Sequence, residues 1–474
     1  MRFANVKLPD GSFATRNVCS FTLSPTNVAY ANTLRRLIMT GVEMVAFRAD
    51  MTDKGTTTDV KVLKNDTPMT NEMLAHRIGL LPIHVRKPLE WNSDAYTFRL
   101  KATAEKDTIR DVTCADFEIR RVTATGDEVM ETALFFPPHP ITKSTCLIAT
   151  LTPGNGAIDI EAKATLGTGR ENARFQPINR CTYTYTRDKD AGRLNEYFTR
   201  WLRESKMVTE TEGMSKDSEP LRSLLQEFNT MEVNRVYLVD EKGEPYSFDF
   251  VVKSIGTLDV TYIVQRACDV GEAMVARYTN IDTADLAELP EVTVSAADSR
   301  ILGFDFLFRG HDHTLGNLLQ TWLAENHVDV LEGTGRTSVS YVGYVIPHPL
   351  RDEMLLRIGV KDGKVETARK ALAEACAGCA EMFRQLKLEW TAGIAEAGGK
   401  SRMNILREFD YDIRAGAGAA GAGAAGARPL RGAAAAKSTA ASKKVEASAP
   451  VSGVATALKT LQEQTAALAG AKAT

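Results

Sequence analysis

Apolar residues recur along this chain with two periods, and the switch between them marks its elements. From Ile301 to Arg309 the aromatic residues Phe304, Phe306 and Phe308 take every second position, which predicts a strand with one buried face. Gly310, His311, Asp312, His313 and Thr314 then break the strand, and Asp312 or Thr314 can accept a backbone amide at a helix start. In that helix Leu315, Leu318, Leu319, Trp322 and Leu323 follow the i, i+3, i+4, i+7, i+8 spacing of one buried stripe.

The same order of elements appears near the start of the chain. Phe21 and Leu23 end a strand, Ser24 to Asn27 supply turn and cap residues, and Val28, Ala31, Leu34 and Ile38 make a second apolar helix face. Asn32 sits one turn into this helix as Asn317 does in the later one, so the pattern reads as a distant internal duplication. Each copy is followed later by a long helix with a heptad-like seam: Val260, Ile263, Ala267, Val270 and Met274 in the first, Val365, Ala368, Leu372, Ala375, Cys379, Met382 and Leu386 in the second. Two such seams in one chain can pack on each other.

Between the copies the pattern changes. Strand, helix and strand fill 1–50, with Val42 to Arg48 as the second strand. From 51 to 187 short β-like runs at Ala95 to Lys101, Phe117 to Val122 and Ile158 to Ala164 alternate with Gly, Pro and Asp, predicting an inserted, mostly-β domain. Within it Thr70 and Asn71 can cap a short helix that Gly79 and Pro82 close. Residues 188–232 are highly charged and predict two surface helices, around Leu194 to Lys206 and Leu221 to Asn229. Ser247 to Ser254 alternates again, so 233–285 resumes the first domain, with Thr257 able to start its long helix. Ile281 to Pro290 reads as a linker, 286–410 as the second copy, and 411–474 as a disordered Ala/Gly-rich basic tail. Val454, Leu458, Leu461 and Leu468 could form one marginal helix in that tail. The fold class expected is α+β.

Composition narrows the class. With 44% hydrophobic and 25% charged residues, the 474-residue chain is an ordinary globular one with length for about three domains. A net charge of -2 gives no whole-chain reason for nucleic-acid binding. No uninterrupted apolar run spans a bilayer, and Met1 to Pro9 lacks the apolar core of a secretory signal, so an intracellular protein with no membrane contact is expected. Seven scattered cysteines suit reduced thiols better than a disulfide frame.

Five motifs in order carry a resemblance. FTLSPTNVAYANTLRR at Phe21 to Arg36, AHRIGLLPI at Ala75 to Ile83 and LGTGRENARFQP at Leu166 to Pro177 resemble the α-like assembly subunit of cellular RNA polymerases, the third-largest of RNA polymerase II or its archaeal D-like counterpart. HDHTLGNLL and VGYVIPHPL, within 310–350, resemble its small partner, the eleventh subunit or its archaeal L-like counterpart. The chain therefore looks like a fusion of the two, which implies a pseudo-symmetric intramolecular heterodimer of two α-like dimerisation domains. Joining the partners replaces a bimolecular equilibrium by an effective concentration reaching the millimolar range. Fused subunits of this kind resemble those of large DNA viruses. On that likeness transcription is expected in a virion and the host cytoplasm or nucleus, and in the nucleus if the source is cellular.

The resemblance implies that Asn32, Leu34, Arg35 and Arg36 face the large catalytic subunits, and that Gly167, Gly169, Arg170 and Arg174 contact the second-largest subunit. Small polymerase assembly subunits are further expected partners, with DNA and RNA met only through the complex. Leu315, Leu318, Leu319, Trp322, Val260, Ile263, Leu372, Cys379 and Leu386 are the expected intramolecular dimerisation residues. Many third-subunit relatives carry four zinc-binding cysteines after the segment matching Leu80 to His84, but Val85 to Thr113 has none, so no metal and no cofactor are expected. His311 and His313 lack further ligands at suitable spacing, and Cys376 and Cys379 fall on or beside an apolar seam, which favours core residues. GTGR alone hints at phosphate binding, yet no GxxxxGK[ST] accompanies it, and no catalytic set is present, so the chain itself reads as a non-enzyme. The alternative is a DNA-binding transcription factor acting through the basic tail, which low complexity argues against.

Overall fold

The computed structural model describes residues 1–9, 17–52, 58–123, 126–154, 156–208, 219–285, 287, 289–297, 301–328 and 338–398. They fall into two compact units, one within 1–184 and 246–398 and the other within 185–245. The tail from 411 and its expected helix at Val454 to Leu468 lie outside the described residues.

The larger unit starts with β1 (Arg2–Lys7), β2 (Val18–Ser24) and α1 (Val28–Arg36), which runs into a π-helical turn at Leu37–Gly41 and then β3 (Glu43–Phe47). There follow β4 (Val60–Asn65), α2 (Asn71–Gly79), β5 (Tyr96–Thr103), β6 (Arg110–Thr113), β7 (Phe117–Thr123), β8 (Gly126–Met130), α3 (Thr132–Phe135), β9 (Leu147–Leu151), β10 (Ala157–Ala162) and β11 (Ala164–Thr168). β12 (Ile178–Tyr185) leads to the smaller unit with α4 (Ala191–Ser205) and α5 (Glu219–Thr230), after which the chain returns through β13 (Phe248–Ser254) and α6 (Val260–Ala276). The last stretch comprises β14 (Val292–Ala296), β15 (Gly303–Arg309), α7 (His313–Leu323), a second π-helical turn at Ala324–Val328, β16 (Val339–Val345), β17 (Glu353–Val360) and α8 (Val365–Glu396).

Sheet order makes the internal repeat explicit. One four-stranded sheet runs β1-β2-β13-β12 and the other β14-β15-β17-β16. Each copy is thus edge strand, inner strand, helix, π turn, outer strand, inner strand and long helix. In the first copy, β3 to β11 enter between the π turn and β12, and 185–245 enters between β12 and β13. The second copy closes the latter connection with the short loop between Val345 and Glu353.

Local chemistry sets the helix starts. Asn27, Asp259 and Asp312 each accept a backbone N–H two residues on, at Ala29, Thr261 and Thr314, satisfying one of the donors a helix leaves unpaired. The long helix expected to begin at Thr257 starts three residues later, where Asp259 can cap it.

The two copies share one core. α6 and α8 lie antiparallel: Trp390 Nε1 donates to Thr261 O at 3.0 Å near one end, and Arg384 pairs with Glu272 at 2.9 Å further along. Trp390 is fully buried among Phe3 and Phe21 of the first copy, with ring centroids 5.0 and 5.3 Å away. The segment after α6 is tied down rather than free: Ile281 is buried, and Arg369 donates to the Ile281 and Ala284 carbonyls. Among the described residues no helix is long and apolar enough to cross a membrane.

Residues 51–184 build a five-stranded sheet in the order β4-β10-β5-β7-β8 and, with β3, two two-stranded ladders, β11-β3 and β6-β9, around a core that includes Phe98, Phe117, Phe135 and Ile148. The expected single run Ile158 to Ala164 is two strands here. Lys163 N donates to Asp59 O at the break, and the chain passes from β5 and β4 to β3. The smaller unit extends past the expected limit at 232 to Pro245, because Val236 completes a core with Phe198, Leu202 and Phe228.

Candidate functional site

α1 buries one stripe and leaves another half open. Ala31, Leu34 and Ile38 have no exposed surface, whereas Asn32, Arg35 and Met39 are half-buried on a neighbouring face. Arg35 Nε donates to Asn32 Oδ1 at 2.9 Å and Nη1 to Met39 Sδ at 3.1 Å, so a cation is held ready at one place on that face.

The GTGR loop lies against the same helix end. Arg170 N donates to Thr40 O at 3.1 Å, and a Cβ on Gly169 would stand 3.0 Å from Met39 O. Gly167 pairs with Met44 across the β11-β3 ladder, and a Cβ there would strike the Phe175 ring at 2.7 Å. Gly169 thus serves close approach of backbone, and Gly167 makes room for the Phe175 ring. Arg48 fixes the loop from below: it pairs with both Glu171 oxygens at 2.7 and 2.8 Å and lies over the Phe175 ring. Its hydrogen bonds hold the Glu171 carboxyl below the usual carboxylate range. Two motifs far apart in sequence therefore share one surface.

Several expected docking residues have other work. Leu34, with 0% exposure, is a core residue and can offer a partner nothing. Arg36 turns to the second copy, donating to Asp312 Oδ2 at 2.9 Å and Thr314 Oγ1 at 2.7 Å. Arg170 reaches the same loop, donating to Gly310 O at 2.9 Å and pairing with Asp352. The Arg174 side chain, 4% exposed, is spent on Phe47 O and Asp50. Asn32 and Arg35 remain, with Met39 and Thr40 beside them; neither of the latter carries a sequence signal beyond its place after the helix.

The Arg36 contact has a counterpart. Glu325, just past α7, accepts from Asn27 Nδ2 at 3.2 Å and Tyr30 Oη at 2.6 Å near the start of α1. Each copy's helix start thus faces the other's helix end, as a two-fold interface requires. Burial, then the Glu325 hydrogen bond, pushes the Tyr30 hydroxyl pKa up. Leu315, Leu318, Leu319, Val260, Ile263, Leu372, Cys379 and Leu386 all lie buried in the shared core, and half-buried Trp322 packs on it. Cys376 and Cys379 face no solvent, and burial drives both thiols up.

His311 and His313 separate rather than converge: Nε2 of the first meets Tyr278 Oη at 2.8 Å, and Nδ1 of the second meets Tyr344 Oη at 3.3 Å. Burial lowers the His311 pKa from 6.5; Arg170 and Arg277 add to this, while Asp312 and Asp352 oppose it. An unfolded chain takes up that proton near the ordinary value, so stability is kept above about pH 6.5 and declines as pH falls below it. Thermal melts from about pH 7.5 to about pH 5.5 should show a larger drop for the native chain than for His311→Gln. Equal drops would remove His311 from the effect.

Among the described residues no three or more His, Cys, Asp or Glu side chains gather as metal ligands would. With no cysteine at 85–113, a four-thiolate zinc site in that segment has no ligands.

Residues 20–273, more than half of the 474-residue chain, match the family described as RNA polymerase Rpb3/Rpb11 dimerisation domain, and 304–389 match a second family model of the same description. The chain is similar to DNA-directed RNA polymerase subunit Rpo3 of Methanothermobacter thermautotrophicus, 27% identical over 169 residues, 35% of this chain and 56% of that one. Rpo3 of Pyrococcus horikoshii is 26% identical over 282 residues, 56% of this chain and 94% of its own. DNA-directed RNA polymerases I and III subunit rpac1 of Dictyostelium discoideum is 26% identical over 198 residues, 36% and 49% of the two chains. The chain thus spans about half the length of the first and third relatives and nearly all of the second.

Proposed function

The chain belongs to the RNA polymerase Rpb3/Rpb11 dimerisation domain family and carries two such domains, and from that premise we propose that it is a non-catalytic assembly subunit of a multisubunit DNA-directed RNA polymerase. In this reading one polypeptide supplies both members of the dimer and docks the two large catalytic subunits. Transcription chemistry then belongs to the assembled complex.

The observation that carries docking is the convergence of Arg35 and Asn32 with the Gly169 loop at the π turn. Arg35 is not used in the clasp between the copies, unlike Arg36, so its guanidinium is the group that can take a carboxylate or a carbonyl of the second-largest subunit. Arg35→Glu should leave the melting transition nearly unchanged and weaken capture of purified second-largest subunit about tenfold or more, the loss expected when one partner of a desolvated polar contact is reversed. A folded Arg35→Glu chain that captures that subunit normally would place docking elsewhere.

A further inference from the structure

Cys114 and Cys146 stand opposite each other where the β6-β9 ladder ends. Thr113 and Leu147 are the last pair of the ladder, and just beyond it, where Cys114 opens a 3-10 turn, Cys114 N donates to Cys146 O at 3.0 Å. Cys114 is buried at 1% exposure beside Phe117, while Cys146 is exposed, alone in this among the cysteines. That backbone hydrogen bond holds the two residues side by side, so the roughly 3.5–4.5 Å between Cβ atoms that a disulfide requires is within reach of a local adjustment. No such opposition exists for Cys376 and Cys379, which share one helix and lie fully buried.

We propose that Cys114 and Cys146 are a redox-modification site, closed to a cross-strand disulfide by a hydroperoxide and reopened by a dithiol. The exposed Cys146 reacts first: its thiolate, having lost a proton to water, attacks one peroxide oxygen. The O–O bond breaks, the other oxygen leaves as water or an alcohol after taking a proton, and Cys146 becomes a sulfenic acid. The Cys114 sulfur then attacks the Cys146 sulfur; an S–S bond forms, the S–O bond breaks, and the departing hydroxide takes the Cys114 proton as water. Two thiols are oxidised by two electrons and one peroxide is reduced. Burial pushes the Cys114 thiol up to about 12, so it is not the thiol that meets the peroxide first, and its attack in the second step requires its proton to leave with the departing hydroxide. In a reducing compartment such a bond is transient, as sensing disulfides are. Arg77 of α2 donates to Leu147 O at 3.1 Å, so closure next to β9 also bears on α2.

The test treats the full-length chain with hydrogen peroxide, alkylates the remaining thiols in denaturant and maps the peptides. A Cys114–Cys146 linked peptide that dithiothreitol removes, with slower amide exchange in β6 and β9, is the expected result. Cys146→Ser, a change at an exposed position, should fold normally, yield no linked peptide and leave Cys114 alkylated. Oxidation of Cys146 to its sulfinic acid with Cys114 still reduced, or a link from Cys146 to any other cysteine, would overturn the proposal.

Discussion

Trp390→Ala should destabilise the larger unit by about 3–5 kcal/mol, the largest effect expected of a single truncation in this chain. Trp390 belongs to the second copy's long helix but is buried wholly in the first copy, edge-on to Phe3 and Phe21, with its indole N–H satisfied by Thr261 O. Removing it opens a cavity at the junction of β1, β2, α6 and α8 and takes away the Trp390–Thr261 hydrogen bond between the two long helices. Denaturant melts give the cost directly, and the amide exchange of α8 should rise more than that of β5 or β7, which belong to a separate core. A loss below about 1 kcal/mol would mean that the copies are held together elsewhere.

Gly271→Val should cost about 1–3 kcal/mol or more, through overpacking instead of a cavity. Gly271 lies mid-way along α6, where an intrinsic preference alone would favour a side chain. A Cβ at this position would fall 2.7 Å from the Phe383 ring, and Phe383 is itself 1% exposed, so the ring has nowhere to go. The glycine is therefore what lets α6 and α8 approach closely. Gly378 plays a similar part beneath Trp322, but that indole is half-buried and can shift, so the same change there should cost less. The ranking of the two variants by thermal melting checks the argument; a milder effect at Gly271 would contradict it.

Much of the larger unit was legible because burial writes itself as period. The stripe at Leu315 to Leu323, the one from Ala31 to Ile38 and most of both long seams appear in the structure as helices buried or half-buried on those faces, whereas Val28 at the start of α1 is exposed and Val365 at the start of α8 is only half-buried. What period cannot encode is partnership. Nothing in Ile158 to Thr168 says that the second part of the run leaves β10's sheet to pair with β3, and nothing in an apolar stripe announces a π turn. The site was legible in its neighbourhood and not in its individual roles. Leu34 lies in the same apolar stripe as Ala31 and Ile38, so periodicity already put it in the core while the family motif put it at a docking face; burial decides for the core. Arg36 and Arg35 are adjacent and chemically alike, and only the turn of about 100° between helix neighbours sends one to Asp312 and the other to Asn32. The limit of the smaller unit at Pro245 was missed because the run Val236 to Val239 is apolar throughout, and nothing in it says that Val236 alone is buried and packs on Phe198, Leu202 and Phe228.

The central claim is that one chain supplies both halves of the assembly dimer to a polymerase. Native mass measurement of the complex purified through a tag on this chain, under mild salt, tests it most directly. One copy of the chain with one copy each of the two large subunits is the result expected. Two copies of the chain in each complex, or the chain alone without large subunits, would contradict it.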